Sequence, residues 1–89
     1  MMAKVRKYIF EEGCNGSSRY ELVDVKVGDW VGFKSDHEQS GQIVEINHVR
    51  SWDGRQRATL TLENKNGFGG DYLRYATRTT EDSEDCWID

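Results

Sequence analysis

The sequence contains no proline, only two cysteines and no apolar run longer than a few residues. Without proline, the edges of any sheet must be guarded by charge and twist. The short apolar runs exclude a membrane-spanning helix, which needs roughly 20 such residues. No stretch of ten or more residues spaces its apolar positions three and four apart, so a long amphipathic helix is not expected either. A basic start followed by an apolar stretch and a small-residue cleavage site is also missing, and the expected location is the cytoplasm. Cys14 and Cys86 stand far apart in the chain, and in a reducing compartment both are expected as free thiols. His37 and His48 have none of the paired spacings of a zinc site. The glycine-rich run "NGFGGDY" lacks the Lys-Ser/Thr ending of a phosphate loop. With no nucleophile elbow, metal motif or paired-carboxylate signature, neither catalysis nor a cofactor is expected.

What the chain does have is charge and short extended runs. Its 89 residues suffice for one small core, and 36% apolar and 31% charged residues with a mean hydropathy of -0.81 fit a globular protein in water. The net charge is -4. Residues 79–89 hold Glu81, Asp82, Glu84, Asp85 and Asp89 and no Lys or Arg, so the acidity resides there and residues 1–78 are close to neutral. The sequence therefore predicts a folded unit over 1–78 and a mobile acidic C-terminal extension over 79–89.

Within 1–78, period-two runs rich in β-branched and aromatic residues predict strands at 4–10, 19–25, 28–33, 42–49, 57–63 and 71–77. Polar or glycine-rich loops are predicted at 11–18, 34–41 and 64–70. Asp53-Gly54, lying between two extended runs, predicts a two-residue hairpin turn. The fold class is all-β, a small, partly open barrel of five or six short strands. Alternation places Val31, Phe33, Ile43, Leu60 and Leu62 inside. Ile43 and Ile46 are three apart, so a β-bulge is needed to turn both inward.

The stretch "KVGDWVGFKS…GQIVEI" resembles the KOW-type element of SH3-like β-barrels. Gly28-Asp29, Val31, Phe33, Gly41, Ile43 and Ile46 fill the places of that motif. The resemblance covers about 20 residues. It implies an SH3-like barrel. The loop between its strands has Lys34 as its one lysine, short of the set with which such elements hold RNA, and a shared fold does not by itself carry a function.

Two groups of residues stand out as candidate sites. A two-residue turn at Asp53-Gly54 would set Trp52 opposite Arg55, Arg50 opposite Arg57 and His48 opposite Thr59 on one face. His48, Arg50, Trp52, Arg55 and Arg57 would then form a basic, aromatic-edged surface for phosphates and bases. The bland alternative is a solvated ribbon neutralised by the chain's own carboxylates. Trp87, within the acidic segment, and Phe68, between glycines, are candidate partner anchors, each with core packing as the alternative. These features predict a small non-catalytic module that binds or regulates a larger protein assembly, as a monomer or weak oligomer. The alternative is a nucleic-acid-binding barrel that uses the 48–57 hairpin.

Overall fold

The computed structural model describes residues 2–9, 19–50, 52–70 and 73–88. Seven strands among these residues form one curled sheet, with the shape of a half-barrel. They are β1 (Met2–Ile9), β2 (Arg19–Lys26), β3 (Trp30–Ser35), β4 (His37–Arg50), β5 (Gln56–Glu63), β6 (Arg78–Asp82) and β7 (Trp87–Ile88). Across the sheet they run β2-β1-β7-β3-β4-β5-β6. A single 3-10 turn, Ser83–Asp85, connects β6 to β7.

Inward-facing side chains of alternating residues build the core. Val5, Val31, Phe33, Ile43, Leu60 and Leu62 are almost fully buried, joined by Ala3, Val25, Ile46, Phe68, Leu73 and Cys86. The expected bulge is present, because the β4–β5 register shifts between Ile43 and Glu45. Ile43 then faces Leu62 and Ile46 faces Leu60, so a spacing of three puts both isoleucines inside. The Gly28-Asp29 turn is pinned to the same place. Gly28 N donates to Ile43 O at 2.8 Å, Ile43 N donates to Asp29 O at 2.8 Å, and the Asp29 carboxylate accepts from Lys26 N at 2.9 Å.

Three sequence expectations are corrected. The predicted loop at 34–41 is mostly strand, since β3 passes into β4 through Asp36 alone, which adopts φ 64°. Aspartate tolerates this left-handed geometry better than most residues do. The predicted strand at 71–77 is turn over its described part, with Leu73 buried beneath it. The largest correction concerns 79–89. Thr79–Asp82 belong to β6, which pairs with β5, and Trp87–Ile88 form β7 inside the sheet. The segment expected as a mobile extension is therefore part of the architecture, whatever its charge.

Strand β7 has two residues and an unusual position. It lies parallel to β1, with Arg6 opposite Trp87, and antiparallel to β3, with Gly32 opposite Trp87. It is the link in the sheet between the β1–β2 ribbon and the other strands. Glycine at 32 makes the link possible. A Cβ there would lie 2.5 Å from Trp87 Nε1, so the indole occupies the space that a side chain would take.

Gly32→Ala is accordingly expected to cost roughly 1–3 kcal/mol through overpacking. In a domain of this size the melting midpoint should fall by roughly 4–8 °C for each kcal/mol lost. A chain ending at Asp82, which lacks β7, should lose its cooperative thermal transition. Calorimetry of the two variants beside the full chain checks this, and a truncated chain melting like the full one would contradict the role given to β7.

Candidate functional site

The far end of the β4–β5 hairpin stands alone. Strand β3 accompanies β4 only as far as Gln42, and β6 accompanies β5 only from Thr59 onward. His48–Arg50 and Gln56–Ala58 therefore pair with each other with no further strand on either side among the described residues. At the tip, Trp52 is 99% exposed, with Val49 half-exposed behind it.

The register of this ribbon differs from the sequence expectation by one residue. Val49 faces Arg57, Arg50 faces Gln56 and His48 faces Ala58. The core decides it, because pairing Ile46 with Leu60 brings two buried apolar side chains together, whereas the expected register would have set Ile46 against the polar Thr61. Residues 52–55 then lie in a longer connection. Asp53 Oδ1 accepts from Arg55 N at 3.1 Å and Gly54 takes φ +84°, which is aspartate-initiated turn chemistry in place of a two-residue turn.

A one-residue shift exchanges faces. The five residues expected on one surface are thus divided. His48 and Arg50 share a face, and Arg57 sits on the other beside Val49. Arg50 and Arg57 are not opposed, and the repulsion expected between them is absent. Two of the arginines also meet carboxylates of the same chain, Arg57 with Asp82 at 3.9 Å and Arg55 with Asp53 at 3.8 Å. Such exposed pairs contribute about 0–1 kcal/mol each, enough to neutralise the ribbon locally without fixing it.

His48 and Arg57 also border a groove of about 610 Å³ between this hairpin and the β1–β2 ribbon. Its other wall carries Met2, Lys4, Arg6, Tyr20 and Leu22. Lys4 pairs with Asp24 at 3.3 Å. The Arg6 guanidinium lies 5.1 Å from the Tyr20 ring centroid, and hydrogen bonding with Tyr8 raises its pKa above the ordinary value. Met2, Tyr20 and Leu22 are all more than half exposed. Sequence reasoning missed these three, whose signal is an even-numbered parity opposite Ala3, Val5 and Val25.

The two expected anchors occupy different settings. Phe68 is buried and meets Phe33 edge to face, with centroids 5.3 Å apart. It is a core residue and cannot also reach a partner. Gly41 makes room for it, since a Cβ there would lie 2.9 Å from Leu62 Cβ and 3.4 Å from the Phe68 ring. Gln39 ties the Phe68 loop to β4, accepting from Gly69 N at 2.8 Å and donating to Gly69 O. Trp87 is half-buried against Gly32, held by the sheet instead of carried on a free tail.

Comparison with family models, with curated proteins and with solved structures gave no match. The described residues contain no group of three His, Cys, Asp or Glu side chains that could hold a metal, and no helix long and apolar enough to cross a membrane. Cys14 lies outside the described residues. Cys86 is a free, fully buried thiol whose Sγ lies 3.4 Å from Asp82 O. Burial pushes its pKa up to about 12, helped by the carboxylates of Glu81, Asp85 and Asp82.

This raised value sets a sign for alkaline stability. The unfolded thiol loses its proton near 9.0, while the native one keeps it to about 12. Stability from the buried, protonated thiol is complete below the lower value and falls as pH rises towards the higher one. Denaturation of wild type and Cys86→Ala at about pH 8 and about pH 10.5 isolates the effect from other titrating groups. The wild type is expected to lose more stability over that interval than the variant, and the native thiol should resist thiol reagents at neutral pH. Equal losses in the two proteins would show that Cys86 is not held in its protonated form.

Proposed function

We propose that this chain is a small non-catalytic interaction module that engages a larger protein through the tip of its β4–β5 hairpin. The observation that carries this reading is Trp52, 99% exposed at the end of a ribbon that has no flanking strand among the described residues. A tryptophan buries roughly 150–250 Å², worth roughly 4–6 kcal/mol at ordinary transfer values. Left in water it contributes nothing to the fold. Seated in a partner's pocket it would be the kind of anchor that dominates binding energy. One anchor does not overcome the cost of association, so the half-exposed Val49 and the flanking Arg50 and Arg55 would complete the contact.

The nucleic-acid alternative draws less support from the same geometry. Its basic face is divided between two sides of the ribbon, and Arg55 and Arg57 already have carboxylates beside them. The reading of the chain as a KOW-like, SH3-like barrel belongs to the same proposal. It draws support from the Gly28-Asp29 turn hydrogen-bonded to a bulged β4.

Capture from a lysate of the native host, with protein and nucleic acid both analysed, tests the proposal. Wild type should retain a defined protein, and Trp52→Ala should lose it while melting at the same temperature. The complex should survive a rise from about 50 to about 200 mM salt, across which a phosphate-bound complex would weaken by orders of magnitude. Retention of nucleic acid with that steep salt dependence, or an undiminished capture by Trp52→Ala, would refute the assignment.

A further inference from the structure

A second concavity lies on the outer face of β3 and β4, away from the hairpin tip. It measures about 280 Å³ and is lined by Trp30, Gly32, Glu38, Ser40, Trp87 and Ile88, among others. The register explains how these residues meet. Gly32 faces Ser40, Lys34 faces Glu38, and Gly32 also faces Trp87 across the other edge of β3. Since Val31 and Phe33 point into the core, Trp30, Gly32 and Lys34 take the opposite side. Ser40 makes the floor, beside Gly32, whose outer face the Trp87 indole covers. The two indoles of Trp30 and Trp87 make the walls. Trp30 is 53% exposed, a large apolar surface to leave open without a use.

Charge supplies the second, independent observation. Glu38 is exposed at this groove, and no ion pair joins it to a cation among the described residues, although Lys34 is its register partner. The chain as a whole carries -4, which favours the approach of a cation. The volume lies just below the roughly 300–1,000 Å³ typical of sites that enclose a whole small molecule. It fits one side chain better.

We propose that this groove receives a cationic side chain of a partner protein, a lysine ammonium or its methylated form, between Trp30 and Trp87 with Glu38 as the counter-charge. Aromatic faces attract such cations through their quadrupoles, most strongly for tryptophan. The small Ser40 side chain leaves room for the cation beside the rings, and Glu38 favours a charged occupant over an aliphatic one of the same shape. Lys34 opposes the ligand and limits its affinity. This site is separate from the Trp52 tip, and either can fail without the other.

The three tryptophans provide their own control. Indole N–H signals are followed by NMR during titration with blocked trimethyllysine, blocked lysine and the uncharged isostere that carries tert-butyl in place of trimethylammonium, at constant ionic strength. The cationic compounds should shift Trp30 and Trp87 saturably at millimolar concentrations and leave Trp52 unmoved. The isostere should bind roughly tenfold more weakly. Glu38→Gln should weaken the cations, Lys34→Ala should strengthen them, and Trp30→Ala should abolish the response of Trp87; all three substitutions are at exposed positions. Equal binding of the isostere would make this an apolar groove, and unmoved Trp30 and Trp87 signals would mean no site at all. Either result overturns the proposal.

Discussion

The sheet depends on one contact, the Trp87 indole lying on Gly32. Through it, two residues of β7 sit between β1 and β3, joining the β1–β2 ribbon to the rest of the sheet. In the sequence the ribbon runs into β3 through the short Val27–Asp29 connection, but within the sheet it reaches β3 only by way of β7. Val5 and Val25, which the ribbon brings to the core, are buried in the same cluster as Cys86, the residue just before the seam. In a domain this small, where stability is marginal, a single such join can govern the cooperativity of the whole.

The acidic C-terminal segment carries this structural task because its charges and its apolar residues point different ways. Ser83 and Cys86 are buried and Trp87 and Ile88 half-buried, while Glu84 and Asp85 stay in solvent. Burial, helped by the nearby carboxylates, keeps the Cys86 thiol protonated, and Asp82 reaches Arg57 on β5. Acidity and burial coexist within a few residues. The same strand end supplies one wall of the Trp30–Trp87 groove, so an element that closes the fold also shapes a surface.

Much of this fold was legible from residue pattern, and the misreadings have physical causes. The alternation in 28–33, 42–49 and 57–63 located β3, β4 and β5, and the three-residue step from Ile43 to Ile46 foretold the bulge. Asp53-Gly54 misled because a local turn preference is worth less than the burial of Ile46 against Leu60, and the loop lengthened to suit the core. The segment 79–89 misled because composition counts its charges and overlooks the pairing of Thr79–Asp82 with β5 and the burial of Cys86 and Trp87. Of the candidate surface, Trp52 was legible as an exposed aromatic. The division of the arginines was not, since it follows from a register that no local motif encodes. Phe68 could not be placed from its glycine neighbours alone, because its burial depends on the space left by Gly41 on a distant strand.

Two of the aromatic places on the described surface are the Trp52 tip and the Trp30–Trp87 groove, and the protein recognition proposed for them rests on those side chains. Both places derive their form from the sheet, the hairpin because its neighbours stop short and the groove because β7 lies beside β3. The most direct measurement of the account is therefore a nuclear Overhauser contact between the Trp87 indole protons and the Gly32 α-protons in the free protein. A Trp87 indole seated on Gly32 requires a strong contact, together with extended-strand chemical shifts for Trp87 and Ile88. Random-coil shifts there with no contact to Gly32 would contradict it.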